Sequence, residues 1–165
     1  MKTIKVKPVN EHISYHLPKF SNKYAAGADL FAERFISKDS STVLNGIDMS
    51  QEEIAILEPE QCLKIGTNIS IELPKNTYLD ICSRSGLSIN QGLVVTNAPA
   101  RIDNDYRGEI IIGIRNISNS QKRISIGDRV AQCTLHKQIK TKYKIVNNLS
   151  NTERGEKGLG SSGIK

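Results

Sequence analysis

The sequence predicts an all-β domain, a barrel or a sandwich, and three observations carry the prediction. Ile and Val recur in short alternating runs and not at the i, i+3, i+4 spacing of an amphipathic helix. Aromatic residues make up only 5% of the chain and Trp is absent, so Ile and Val carry the pattern. Turn signals separate the runs at regular intervals, as in sandwiches and barrels built from many short strands.

Taken in order, the chain opens with charge alternating with apolar residues, Met1-Lys2-Thr3-Ile4-Lys5-Val6-Lys7, which reads as a strand over 2–6. That segment lacks the apolar stretch of roughly 7–15 residues found in a secretory signal. Further strands are expected over 54–57, 61–66, 69–73, 77–82, 92–96, 109–116, 129–136 and 142–146. The turns between them are Glu58-Pro59-Glu60, Gly66-Thr67-Asn68, Leu73-Pro74-Lys75-Asn76, residues 116–120 and Ile126-Gly127-Asp128. A polar stretch over 34–53, with Ser37-Lys38-Asp39-Ser40-Ser41-Thr42 and Asn45-Gly46, interrupts the spacing and reads as an inserted loop or small hairpin. Ser50-Gln51-Glu52-Glu53 has the form of a capping box, but Ile54-Ala55-Ile56-Leu57 ahead of a proline favours a strand. Residues 150–165 carry four glycines and almost no apolar side chains, so they cannot bury a core of their own and should stay mobile until something orders them.

With 165 residues, 38% apolar and 24% charged, the chain has the size and balance of one globular domain, placed here at 1–150, followed by a flexible C-terminal tail at 151–165. No apolar run suggests a membrane span. Cys62, Cys82 and Cys133 cannot all pair and show no metal-ligand spacing, which points to reduced thiols in a cytoplasmic setting, or a nuclear or host-cytoplasmic one if the source is viral. The net charge of +6 favours anionic partners, yet it is scattered and forms no basic arm; charge alone fits a small phosphate-bearing ligand as well as nucleic acid, and no nucleic-acid partner is expected.

Three segments have the composition of chemistry. Ser83-Arg84-Ser85-Gly86-Leu87 and the tail Arg154-Gly155-Glu156-Lys157-Gly158-Leu159-Gly160-Ser161-Ser162-Gly163 place Gly and Ser beside Arg, where open backbone N–H groups and a guanidinium can cradle phosphate. Each also reads as a turn or a flexible tail. Arg101-Ile102-Asp103-Asn104-Asp105-Tyr106-Arg107-Gly108-Glu109 sets two carboxylates on a turn, with Ile102 anchoring Asp103 at a strand end as suits a general base; its plain alternative is a solvated loop. Asp29, inside Ala25-Ala26-Gly27-Ala28-Asp29-Leu30, is a carboxylate in an apolar run, functional or simply buried.

Five segments in this order resemble the trimeric dUTPases: Ala26-Gly27-Ala28-Asp29-Leu30, Arg84-Ser85-Gly86-Leu87, Ile102-Asp103-Asn104-Asp105-Tyr106-Arg107-Gly108, Gly127-Asp128-Arg129-Val130-Ala131-Gln132 and the tail from Arg154 to Gly163. Leu57-Glu58-Pro59 and Asn97-Ala98-Pro99 extend the likeness to nearly the whole chain outside 34–53. The resemblance implies a jelly-roll-like β-barrel subunit of a threefold homotrimer, with each site assembled from all three chains. It implies hydrolysis of dUTP to dUMP and pyrophosphate with Mg²⁺. Asp103 would activate the attacking water and Arg84 would organise the site. Ser85, Gly86 and Gln132 would bind phosphates. A hairpin from Asn97 to Tyr106 would read uracil, with Tyr106 under the deoxyribose. Asp29 would reach the metal through a water. Arg154, Gly160, Ser161 and Ser162 would close over the γ-phosphate, with Leu159 at the base.

The chain departs from the family pattern at Ser83, where Pro is usual, at Asn68 and Ala100, where Gly is usual, at Leu159, where an aromatic is usual, and at Lys157, where Gly is common. Asn tolerates positive φ, so Asn68 should fit, whereas the Ala100 methyl is expected to disturb the uracil-reading backbone. The related dCTP deaminases carry a catalytic Glu where this chain has Gly113, which cannot transfer a proton. A regulatory or interaction protein on the same scaffold, using 34–53 for a protein partner, is the non-enzymatic alternative.

Overall fold

A computed structural model describes residues 2–36 and 53–158. Its strands are β1 (Lys5–Pro8), β2 (Lys19–Phe20), β3 (Ala28–Phe31), β4 (Arg34–Ile36), β5 (Ile54–Leu57), β6 (Cys62–Glu72), β7 (Thr77–Cys82), β8 (Leu93–Val95), β9 (Ala100–Ile102), β10 (Glu109–Asn116), β11 (Lys122–Ser125) and β12 (Arg129–Lys137), and its helix is α1 (Ser85–Gln91). One sheet runs β1-β6-β10-β8 with β4 also paired to β6, a second runs β2-β3-β12-β7-β9, and β5 pairs with β11. Every pairing is antiparallel.

The alternation read from the sequence is what packs the sheets together. In β10, Ile110, Ile112 and Ile114 are buried while Ile111 on the opposite face is 44% exposed. One core cluster draws side chains from all three sheets, including Leu30, Leu57, Ile65, Ile81, Ile112 and Ile124. Turn chemistry holds where expected: Glu60, Asn76 and Gly127 sit at φ of 68°, 58° and 85°.

Several boundaries need correction. The segments 61–66 and 69–73 form a single strand, because Gly66-Thr67-Asn68 bends the ladder without ending it. Thr67 Oγ1 donates to the Ile110 carbonyl at 2.8 Å, Asn68 takes φ 52°, and the register against β10 shifts between Glu109 and Ile111. The first strand begins at Lys5 and not at Lys2. Arg34-Phe35-Ile36, placed within the insertion over 34–53, pairs with Gly66-Ile65-Lys64, and Phe35 is 3% exposed, so these residues belong to the barrel. The remainder of that stretch, 37–52, with most of the Ser50–Glu53 capping box, lies outside the described residues, as do Leu159, Gly160, Ser161 and Ser162. No strand forms over 142–146: β12 stops at Lys137, and Tyr143 and Ile145 are 99% and 97% exposed and pair with no strand among the described residues. Short strands β2, β3, β4, β9 and β11 and helix α1 were not expected from the pattern.

Candidate functional site

The register of β12 brings separated motifs into one row. Gln132 stands opposite Asp29 of β3 on one side and Cys82 of β7 on the other. Asp29 is only 8% exposed, and a buried carboxylate needs charged or hydrogen-bonding partners. It has two: Arg84 Nε donates to Oδ1 at 2.9 Å and Arg129 Nη1 donates to Oδ2 at 3.2 Å. Arg84 also donates through Nη1 to the Arg129 carbonyl at 2.9 Å, and Gln132 Nε2 donates to the Ser83 carbonyl at 3.2 Å. Ser83 Oγ accepts from the Val95 N–H at 2.8 Å, so the serine standing in place of proline ties the site to β8.

Arg84 is also the N-cap of α1, extended at φ −80° and ψ 131° with no side-chain cap. Its guanidinium turns back to Asp29 while Ser85 and Gly86 lie exposed in the first turn, whose N–H groups have no helical acceptors. A cavity beside the helix is lined by Arg84, Gln91, Arg123, Asp128 and Arg129, three guanidinium groups against one carboxylate. This is an anion-binding surface by charge and by donor count.

Asp103 follows β9 and is exposed. Its turn is held from several sides. The Tyr106 N–H donates to the Asp103 carbonyl at 3.2 Å, and Asn104 Nδ2 donates to the carbonyls of Pro74, Thr77 and Leu73 at 2.7, 3.2 and 3.3 Å. Tyr106 OH donates to the Glu109 carbonyl at 2.9 Å. A Cβ on Gly108 would stand 2.4 Å from that hydroxyl oxygen, so only glycine lets the ring lie where it does. Asp103 shares a cavity with Tyr78, Arg101, Lys137, Gln138 and Ile139. Arg101 donates to both oxygens of Asp80, at 2.9 and 3.3 Å, and sits 4.6 Å from the Tyr78 ring centroid. The hydrogen bond and charge of Asp80 push the Arg101 pKa up.

Within one chain these two groups do not meet. In the β7–β9 ladder Leu79 faces Ile102, so Asp103 lies level with Tyr78 at one end of β7, while Arg84 lies beyond the other end. At about 3.3 Å per residue the backbone advances roughly 20 Å from Tyr78 to Arg84. The stretch from Asn97 to Tyr106 is not a hairpin paired on itself: β8 pairs with β10 in one sheet and β9 with β7 in the other. Asn97 is exposed in the connection between them. Ala100 is partly buried and packs on the core. Arg154 donates through Nε to the Lys157 carbonyl at 3.0 Å within its own turn and is brought to neither group.

A family model described as dUTPase matches residues 35–163. The chain belongs to the dUTPase family. The deoxyuridine 5'-triphosphate nucleotidohydrolase of Treponema denticola is 38% identical over 148 residues, covering 90% of this chain and 91% of its own. That of a Thermoanaerobacter species is 34% identical over 161 residues, covering 98% and 97%. Among solved structures, the Staphylococcus bacteriophage 80alpha dUTPase with dUpNHpp superposes with a TM-score of 0.79 at 26% identity, over 99% of this chain and 100% of that one. The family is one of enzymes, and this dUTPase-family chain is an enzyme of it.

Membership bears on three further points. At Gly113, expected from the resemblance to stand where a deaminase carries its glutamate, an added Cβ would stand 2.5 Å from Thr96 Oγ1, so a side chain there is crowded as well as absent. Among the described residues no group of three His, Cys, Asp or Glu could hold a metal, so a protein-only cage for Mg²⁺ is not built there. Asp29 nevertheless fits a water-mediated contact: each oxygen accepts from one arginine and keeps a lone pair. Sequence reasoning missed Arg129 as the second partner of Asp29 and Asn104 as the anchor of the Asp103 turn. The signal for Arg129 was its place in Gly127-Asp128-Arg129-Val130-Ala131-Gln132, but its role needs the β3–β12 register.

Proposed function

We propose that the chain hydrolyses dUTP to dUMP and pyrophosphate at sites shared between the chains of a homotrimer. The observation that carries this reading is the separation along β7 of the Asp103 turn from the Asp29, Arg84 and Gln132 row. The turn is exposed and the row is partly open through Arg84 and Gln132, and neither is complete as a site. Joining one chain's turn to a neighbour's row places a base beside a phosphate cradle. The apolar residues Ile139, Tyr143, Ile145 and Leu149, 84–99% exposed, also call for cover by a neighbour.

In this reading Asp103 accepts a proton from a water in line with the α-phosphorus. The water oxygen bonds to that phosphorus as the bond to the bridging oxygen breaks and pyrophosphate leaves. Arg84, held by Asp29, organises the cradle, and Ser85, Gly86 and Gln132 contact the phosphates. Tyr106 packs against the deoxyribose and excludes a 2′-hydroxyl, and the backbone from Asn97 reads uracil. Arg154 and residues 159–162 close over the γ-phosphate. Asp29, through its free lone pairs, would hold a hydrated Mg²⁺ by way of a water, and the ion when bound would supply charge neutralisation on the leaving group.

The test is pyrophosphate release from dUTP, dCTP, dTTP and UTP in parallel, with Mg²⁺ and with a chelator. Release confined to dUTP and strongly reduced by the chelator is expected; equal turnover of all four would overturn the assignment. A second, added role is suggested by the phage 80alpha dUTPase, which is described among phage dUTPases that control transfer of virulence genes by a proto-oncogenic G protein-like mechanism. Residues 37–52 would then serve a protein partner, and a pull-down with and without them separates the two roles.

A further inference from the structure

Glu109 is a charged residue buried to 9% exposure at the start of β10, and neither the phosphate row nor the Asp103 turn uses its carboxylate. Its partners come from two other strands. Arg34 of β4 pairs with it, donating to Oε1 through Nε at 3.3 Å and to Oε2 through Nη2. The Asn68 N–H of β6 donates to Oε1 at 2.7 Å, from a residue whose positive φ turns that N–H inward. The backbone makes room for the pair: a Cβ on Gly66 would stand 2.6 Å from Glu109 Oε1 and 2.8 Å from Arg34 Nε. The carbonyl of the same Glu109 accepts the Tyr106 hydroxyl. The Tyr106 ring thus takes its position from a residue clamped by Arg34.

We propose that Arg34, acting through Glu109, is a positioning residue for Tyr106 and thereby sets discrimination between deoxyribose and ribose. The inference rests on the dUTPase reading above and on Tyr106 as the wall beneath the sugar. Arg34 touches no reacting atom. A guanidinium forked onto a carboxylate fixes direction as well as charge, which an ammonium or amide cannot reproduce. Loosening Glu109 lets the Tyr106 hydroxyl and ring shift, and a steric filter for one oxygen atom fails with small shifts.

The experiment compares kcat/KM for dUTP and UTP in the wild type, Arg34→Gln, Arg34→Lys, Glu109→Gln, Tyr106→Phe and the Arg34→Gln/Tyr106→Phe double variant, with urea unfolding of each. Wild-type activity on dUTP is read first, so failure of the underlying assignment is visible on its own. Arg34→Gln should raise the UTP-to-dUTP ratio by roughly three- to tenfold, through KM for dUTP more than kcat, and Arg34→Lys should recover part of the loss. Tyr106→Phe removes the link to Glu109, so the double variant should match Tyr106→Phe in ratio, the non-additivity expected of a shared path. Arg34→Gln leaves a buried carboxylate unpaired and endangers folding. Glu109→Gln leaves the partly exposed Arg34 to be hydrated, and serves as the second probe with the same expected shift. If Arg34→Gln and Glu109→Gln lower stability while the ratio stays at the wild-type value, the pair is structural only and the proposal is wrong. Additive effects of Arg34→Gln and Tyr106→Phe would also overturn it.

Discussion

Asp103 is exposed in the structure, but its turn is pinned by the Asn104 amide, which donates to three carbonyls of the β6–β7 connection and its edge. A carboxylate held this way is fixed in place while staying exposed. Asp103→Asn preserves the shape of the side chain and removes its basicity. It should leave folding and assembly intact and lower kcat by about 10²–10⁴, the usual worth of a positioned general base. Steady-state turnover close to wild type would remove Asp103 from the mechanism. Cys133 illustrates the opposite environment. It is 6% exposed on β12, and burial, reinforced by the negative charge of Asp29, pushes its thiol up from 9.0 to about 12. Below the unfolded value of 9.0 both states keep the proton and this group contributes no pH dependence. Above it the unfolded thiol ionises while the folded one does not, so the unfolded state binds fewer protons and stability falls as pH rises, by up to about 1.4 kcal/mol per unit. Urea midpoints measured from pH 8 to about 11 should therefore drop more steeply for the wild type than for Cys133→Ala. Parallel curves would mean that the thiol ionises in the folded chain.

At the scale of elements, the tail isolates what folding and catalysis each require. Residues 151–158 are exposed and bond within their own turn, where Gly155 donates to Thr152 Oγ1 at 3.0 Å. Deleting 151–165 should leave far-UV circular dichroism and the urea midpoint unchanged, while dUTP turnover collapses for want of Arg154 and of the closed lid. Retained turnover would show that the tail closes nothing. The long alternating strands were legible in the sequence because their burial is decided locally: Ile110, Ile112 and Ile114 alternate in the chain as they do in space. Strand β6 was not, since Gly66-Thr67-Asn68 uses turn residues for a tertiary purpose, making room for Arg34 and aiming an N–H at Glu109. Helix α1 escaped because Ser85-Gly86-Leu87-Ser88-Ile89-Asn90-Gln91 has poor helix formers and buries no residue. Its stop was readable: Gly92 at φ 69° donates to the Leu87 carbonyl as a left-handed C-cap. For the candidate site, Asp29, Arg84, Gln132 and Asp103 were expected from the resemblance of motifs, and the sheet register brings the first three together. The grip of Arg129 on Asp29 spans 100 residues and exists only through sheet register.

At the scale of the molecule, one chain carries the Asp103 turn and the Asp29, Arg84 and Gln132 row at opposite ends of β7, and symmetric assembly is the simplest way to join them into the proposed shared site, since a rotation that brings one turn to one row does so for every copy. This geometry separates shared sites from single-chain sites by complementation. In the proposed homotrimer, Asp103→Asn would remove the base from every site and Arg84→Gln would remove the organising guanidinium from every row, with Arg129 left to hold Asp29. Each preparation should be nearly inactive. When the two are unfolded together and refolded as a mixture, some sites take their turn from an Arg84→Gln chain and their row from an Asp103→Asn chain. Those sites are intact. With random mixing in equal amounts about a quarter of all sites should have this composition, so roughly a quarter of wild-type activity should return. Sedimentation of each preparation confirms that assembly has not been lost, and a mixture of the two proteins left unexchanged supplies the baseline. Recovery well above that baseline is expected. If the co-refolded mixture assembles fully and stays at the baseline, each site draws its base and its phosphate cradle from one chain, and the roughly 20 Å along β7 would have to be spanned by the nucleotide or by movement of the turn.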